Sequence, residues 1–312
     1  MHHQPHDRTP TYQGRALPRP EDEVVDQGLA FDVGTLLSRR HALRMFGLGA
    51  AGLAVVACGG ESSASTGSSG GSAASTTSDG EIPEETSGPY PGDGSNGPDV
   101  LNESGIVRSD IRSSFGDSTG TAEGVPMTLE LTLADLADDG TPFEGVAVYV
   151  WHCTREGGYS MYSEGVEDQN FLRGVQVADA DGVVRFTSVF PACYDGRWPH
   201  IHFEVYPDRD SITDVANVIA TSQVALPKNI CQNVYAEEGY EASVSNLANV
   251  SLSSDGVFGD DGGASQLATV TGGVEKGYAV SLNVGVDTAT TPGQSGGMGP
   301  GGGPGGGPPA SR

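Results

Sequence analysis

The chain has 312 residues and a formal net charge of −25 at neutral pH, with 16 Lys and Arg against 41 Asp and Glu. Such a surface repels phosphate polyanions and anionic lipid, and no basic patch offsets it, which excludes nucleic acid as a partner. Glycine, at 47 residues, and proline, at 19, crowd the C-terminal end, and a Gly/Ser-rich stretch follows the N-terminal segment, so the part able to bury a core is shorter than the whole.

The first readable element is Ser38-Arg39-Arg40-His41-Ala42-Leu43-Arg44, followed by an apolar run over residues 45–57 and then Cys58. Paired arginines before a short apolar segment look like a twin-arginine export signal. The run is too short for a comfortable transmembrane span. Val55-Val56-Ala57-Cys58-Gly59 resembles a lipobox, in which the cysteine is lipidated. Residues 1–57 are therefore expected to be a twin-arginine-type lipoprotein signal. The product is expected to be exported and lipid-anchored at Cys58 on the outer face of the cytoplasmic membrane, or else secreted. That lipid is the one membrane contact expected. Removing residues 1–57 leaves the net charge unchanged, because they hold six Arg and six acidic residues. Residues 58–81 read as a disordered Gly/Ser linker, 82–285 as one domain, and 286–312 as a disordered Gly/Pro-rich tail.

Within the domain the readable elements are strands. Residues 127–133 alternate Met and Leu with Thr and Glu. Residues 145–153 form a continuous Val- and Tyr-rich run, as a strand buried on both faces would. Residues 183–189, 200–206, 218–226 and 278–284 follow the same habit. Turn signals such as Asp138-Asp139-Gly140 and Pro207-Asp208 separate them. Short helices are expected near residues 233–238 and 241–248. Many short strands with turns between them predict an all-β fold, a β-sandwich of mostly antiparallel strands with few short helices. If Cys58 carries lipid, Cys153, Cys193 and Cys231 remain. One disulfide and one free thiol is the simplest outcome in an oxidising compartment, with Cys153–Cys231 as the expected pair.

The densest chemistry lies in Tyr194-Asp195-Gly196-Arg197-Trp198-Pro199-His200-Ile201-His202. On a strand, His200 and His202 point to the same face and can share a metal ion. Of the seven histidines, His2, His3, His6 and His41 lie in or before the export signal, leaving only His152 as a third. Other residue types must complete a site. Glu204 continues the alternation, which raises a two-histidine, one-carboxylate iron(II) centre; Asp195 is the other nearby acid. A cupin needs a further histidine downstream, and none follows His202. Tyrosine is the remaining donor, and a phenolate favours a trivalent ion.

A second polar cluster, Trp151-His152-Cys153-Thr154-Arg155-Glu156-Gly157-Gly158-Tyr159-Ser160, precedes the first, with Phe171-Leu172-Arg173-Gly174 and Phe190-Pro191-Ala192-Cys193-Tyr194 between them. This order of motifs, ending in F-P-x-x-Y-x-G-R-x-P-H-I-H, resembles the intradiol ring-cleavage dioxygenases, and their exported bacterial members in particular. The resemblance runs from about residue 125 to 222. It implies a mononuclear, non-haem Fe(III) held by Tyr159, Tyr194, His200 and His202, a catechol-type substrate, and O2. It also implies a substrate-side role for Arg197, a pocket-lining role for Gln223, and a second role for Tyr194 as a base that leaves the metal when catechol arrives. His152 has no place in that pattern and reads as a polar residue at a strand end, and Tyr162 and Tyr206 read as packing or surface residues. Cys193, beside Tyr194 in what reads as a strand, points the other way and is no ligand; Arg173 reads as a structural donor to carbonyls or a carboxylate. Two other readings stand beside it: a non-catalytic, surface-anchored binding module, and the iron(II) oxygenase built on Glu204. The oligomeric state is left open.

Overall fold

The computed structural model describes residues 11–12, 15–16 and 80–290. Nearly all of the expected export signal, Cys58, nearly all of the linker and residues 291–312 lie outside the described residues. The chain divides into two units, 1–70 and 71–312. In the first, β1 (Thr11–Tyr12) pairs antiparallel with β2 (Arg15–Ala16).

The second unit is the expected β-sandwich. One sheet is built on β3 (Pro126–Asp135), which pairs with β4 (Thr141–Pro142), β7 (Val183–Val189) and β11 (Gly277–Val286); β10 (Thr269–Gly273) lies outside β11. The β3–β11 pair is parallel and the other pairs are antiparallel. The other sheet runs β6 (Arg173–Val177), β5 (Ala147–Trp151), β8 (His200–Tyr206), β9 (Ala220–Ala225), all antiparallel.

Burial follows from composition. β3 and β11 alternate buried with more exposed residues, so the first sheet has one core face and one wetter face. Every residue of β5 and β8 is buried; the continuous apolar run of β5 is the sequence mark of that, whereas β8 buries His200, His202 and Glu204 on the face that carries the site. On one face, Val148, Val150, Ile201, Phe203 and Val205 meet Leu129, Leu131, Phe186 and Val280 in the sandwich core. On the other face, a strap formed by residues 85–111 covers the sheet. Val100, Leu101 and Ile106 of the strap join Tyr149, Trp151 and Tyr206 in a second apolar cluster. Backbone bonds fix the strap: Glu85 N donates to Thr221 O, Arg108 N to Val175 O, and Val175 N to Ile106 O.

Three expectations are corrected. Cys153, Cys193 and Cys231 are all free and buried, so Cys153–Cys231 is not a disulfide; Cys153 Sγ instead donates to Ala192 O and Cys193 Sγ to Arg197 O. The first helix spans Lys228–Val234 rather than residues 233–238, because Pro227, at φ −65°, starts it. Cys193 and Tyr194 lie in a loop, not a strand. The second helix, Glu241–Asn249, stands where expected. Among the described residues, no helix is long and apolar enough to cross a membrane.

Candidate metal centre

Strand register lays out the site floor. Trp151 of β5, His202 of β8 and Gln223 of β9 are direct cross-strand partners, and Arg173 of β6 pairs with Trp151. All four therefore share the face beneath the strap. The His202 ring stacks on Trp151 with centroids 4.8 Å apart and planes 6° from parallel. Gly88 of the strap, at φ +73°, closes over it: a Cβ there would come within 3.3 Å of His202 Cε1. His202 Nδ1 is buried with no hydrogen-bond partner among the described residues. Stacking and close packing therefore hold this ring.

His200 is held differently. Its Nδ1 lies 2.5 Å from Trp198 O. The carbonyl accepts the Nδ1 proton, which leaves the Nε2 lone pair pointing at the centre. Burial lowers the pKa of both rings, His200 to about 3 and His202 well below the usual range, so both stay neutral and able to ligate.

The tyrosines come from two loops. Tyr159 lies in the long connection between β5 and β6, its backbone N–H bonded to Ser163 Oγ at 2.8 Å, and its side chain is 1% exposed. Tyr194 lies in the loop before β8 and is half-buried. Gly157, at φ +97°, lets the two loops meet: a Cβ there would lie 3.3 Å from Tyr194 Cβ. Burial pushes the Tyr194 phenol up to about 12 and the Tyr159 phenol well above its ordinary value.

The four side chains converge at their donor atoms. Nε2 of His200 is 3.0 Å from Nε2 of His202, 3.2 Å from Tyr194 Oη and 3.5 Å from Tyr159 Oη, and the two Oη atoms are 3.5 Å apart. Bonds of about 2.0–2.2 Å to one shared ion would set neighbouring donors about 2.8–3.6 Å apart. The set fits a metal ion, and the two phenols suit a highly charged one, which alone would ionise them at this burial. Among the described residues no three His, Cys, Asp or Glu could hold a metal. Glu204 therefore does not complete a carboxylate site with the histidines. It accepts a bond from Tyr206 Oη at 2.9 Å, and burial, then Asp93, raise its pKa to about 8.

Arg197 and Gln223 are also brought together. Arg197 Nη2 donates to Gln223 Oε1 at 2.6 Å, and Gln223 Nε2 donates to Thr86 O of the strap at 2.9 Å. Asp195 is exposed. His152 has both ring nitrogens engaged, by Cys153 O and Ser188 Oγ, and takes no part in the cluster. Trp198 donates to Leu226 O and packs in the sandwich core. Tyr162 Oη binds Asn96 Oδ1 and Gly92 N.

Two supports have no local signal in the sequence. Asp255 binds Arg197 Nε at 3.0 Å from a distance of 58 residues along the chain. Arg173, 1% exposed, makes five hydrogen bonds: to Tyr90 O, Pro91 O, Ser160 O, Ser160 Oγ and Tyr149 Oη. It thereby ties strap and Tyr159 loop to β6. The structural role expected of Arg173, as a donor to carbonyls, is the one it fills; which carbonyls it reaches has no signal in the sequence.

Residues 96–208 match a family model described as dioxygenase, a segment that contains Tyr159, Tyr194, Arg197, His200 and His202. The chain is 43% identical over 92 residues to chlorocatechol 1,2-dioxygenase of Rhodococcus opacus, covering 26% of this chain and 36% of the relative. It is 35% identical over 78 residues to catechol 1,2-dioxygenase of a Pseudomonas species, covering 25% of each. The chain thus spans about a quarter to a third of the length of these curated relatives. The fold is similar to an intradiol ring-cleavage dioxygenase from Tetranychus urticae, with TM-score 0.54 and 24% identity, over 68% of this chain and 96% of the other.

Proposed function

We propose that the chain is a mononuclear, non-haem Fe(III) intradiol dioxygenase. It inserts both atoms of O2 into a catechol-type aromatic and opens the ring between the hydroxylated carbons, giving a muconate-type diacid. The convergence of two phenol oxygens and two imidazole nitrogens carries the reading. The matched relatives are named for catechol and chlorocatechol, so those are the substrates to try first.

Ferric iron bound there would ionise the phenols and draw electron density from a catecholate, making the ring reactive toward O2. The rest falls to the chain. Two phenolates and two neutral imidazoles leave a trivalent ion with a single net positive charge. With a hydroxide also bound the site would be neutral, and a catechol dianion in place of that hydroxide and one phenolate would leave it neutral, the two catechol protons going to the hydroxide and to the displaced phenolate. This would avoid a large desolvation cost. Tyr194 is the donor placed to leave, because it alone of the four is half-buried and it adjoins exposed Asp195 and Gly196. Its Oη then takes a catechol proton. Arg197 is half-buried beside it, with Nε and Nη2 engaged. The Nη1 hydrogens are those left to meet a substrate oxygen as negative charge develops on it. The strap keeps water off the imidazole side.

The test is a visible spectrum with oxygen uptake. The iron-loaded protein should be wine-red and consume O2 with catechol, and Tyr194→Phe should lose most of the colour. A colourless protein carrying ferric iron would refute the reading, as would a coloured one that consumes no O2 across a catechol panel. We further propose export and lipid anchoring at Cys58, supported by the order of arginine pair, apolar run and cysteine. Cys58→Ala should move the protein from the membrane fraction to the soluble exported fraction.

A further inference from the structure

We propose that Asp255 is a positioning residue for Arg197, holding the guanidinium in the rotamer that serves substrate; this rests on the dioxygenase reading above. The Asp255 side chain is fully buried, and hydrogen bonds saturate both oxygens. Oδ2 accepts from Arg197 Nε at 3.0 Å and from Trp198 N at 2.6 Å. Oδ1 accepts from Val257 N at 2.8 Å and Phe258 N at 3.1 Å. Phe258 is itself in the sandwich core, so the carboxylate is mounted on a rigid turn.

Arg197 is gripped on a second edge by Gln223, which Thr86 O of the strap holds in turn. Three segments far apart in sequence thus fix one guanidinium. An arginine without such partners loses rotamer entropy each time it orders over substrate. The carboxylate removes that cost in advance and balances a charge that would otherwise be buried alone. The hydrogen bonds of Asp255 go to Arg197, Trp198, Val257 and Phe258 and to none of the four donor side chains, and it lies beyond the segment 96–208 that matches the dioxygenase family model. Its bonds run to residues 197 and 198, between Tyr194 and His200.

The experiment is a double-mutant cycle on iron-loaded protein, with D255N, R197A and the pair, reading melting temperature, visible spectrum, kcat and KM. The amide of D255N turns a donor toward Arg197 Nε–H and Trp198 N–H. It is expected to keep the iron and its colour, to lower kcat/KM about 10–100-fold, and to weaken the spectral change on anaerobic addition of catechol. On the R197A background D255N should add almost nothing, because the two act through one group. Equal losses on both backgrounds would overturn the inference, assigning Asp255 to the fold alone; so would a D255N enzyme with the parent's kcat/KM. D255E, which keeps the charge, carries the same cycle if D255N does not fold. A parent protein without colour or oxygen uptake is a different result, and refutes the functional reading itself.

Discussion

His200 Nδ1 lies 2.5 Å from the carbonyl oxygen of Trp198, two residues earlier in the chain. A backbone carbonyl sets the tautomer here, so no side-chain substitution outside the ring can easily undo it. His200→Ala is expected to weaken iron binding by at least about 100-fold while the protein still melts cooperatively. Metal analysis after dialysis checks this. Dialysis of the parent against a strong chelator should bleach its colour, and ferric iron should restore it.

Gly88→Ala tests the strap's contact with the second imidazole. The residue has φ +73°, and a new Cβ would meet His202 Cε1 at 3.3 Å. A positive φ costs a non-glycine residue about 1 kcal/mol, and the ring must tilt off Trp151 to make room. The expected outcome is a lower melting temperature together with a displaced visible band. An unchanged band would show that the strap does not orient His202.

Arg173→Met removes five donated hydrogen bonds and takes the Arg173 donor from the carbonyls of Tyr90 and Ser160, while Pro91 O keeps the bond from Tyr149 Oη. The expected loss is about 3–5 kcal/mol in denaturant unfolding. Arg173→Lys should recover only part of it, since an ammonium cannot span the same fork.

His152 predicts an acid limb of stability. Burial lowers its pKa from 6.5 to about 4. Between those values the unfolded chain binds a proton that the folded chain does not, so stability present above pH 6.5 is lost as pH falls toward 4. The size is on the order of 3 kcal/mol. In pH-dependent unfolding of iron-free protein, His152→Gln should make that limb shallower by its own share, leaving the part due to His200 and His202.

Much of this is legible in the chain because it is local. Alternation in β3 and β11 and unbroken apolar character in β5 are set by near neighbours, and they foretell which sheet is covered on both faces. The HxH spacing places two imidazoles on one side of β8, whatever the rest of the fold does. Tyr159 and Tyr194 are legible only through the motif order, since loops carry no periodicity.

Partner choice is not local. Cys153–Cys231 is the pair expected from the sequence, yet all three thiols are free and buried, Cys153 against Ala192 O, Cys193 against Arg197 O and Cys231 against Tyr235. The strap shows no pattern because its backbone bonds are split between short turns of its own, such as Val100 N to Gly92 O, and isolated contacts with β6 and β9. The sequence alone determined the strands and the types of donor atom at the centre. Only the tertiary structure decided that Gly88 presses on His202, that Arg173 fastens two loops, and that Asp255 meets Arg197 across 58 residues. Contacts at such separation depend on the folding of everything between them, and no short stretch of chain encodes that.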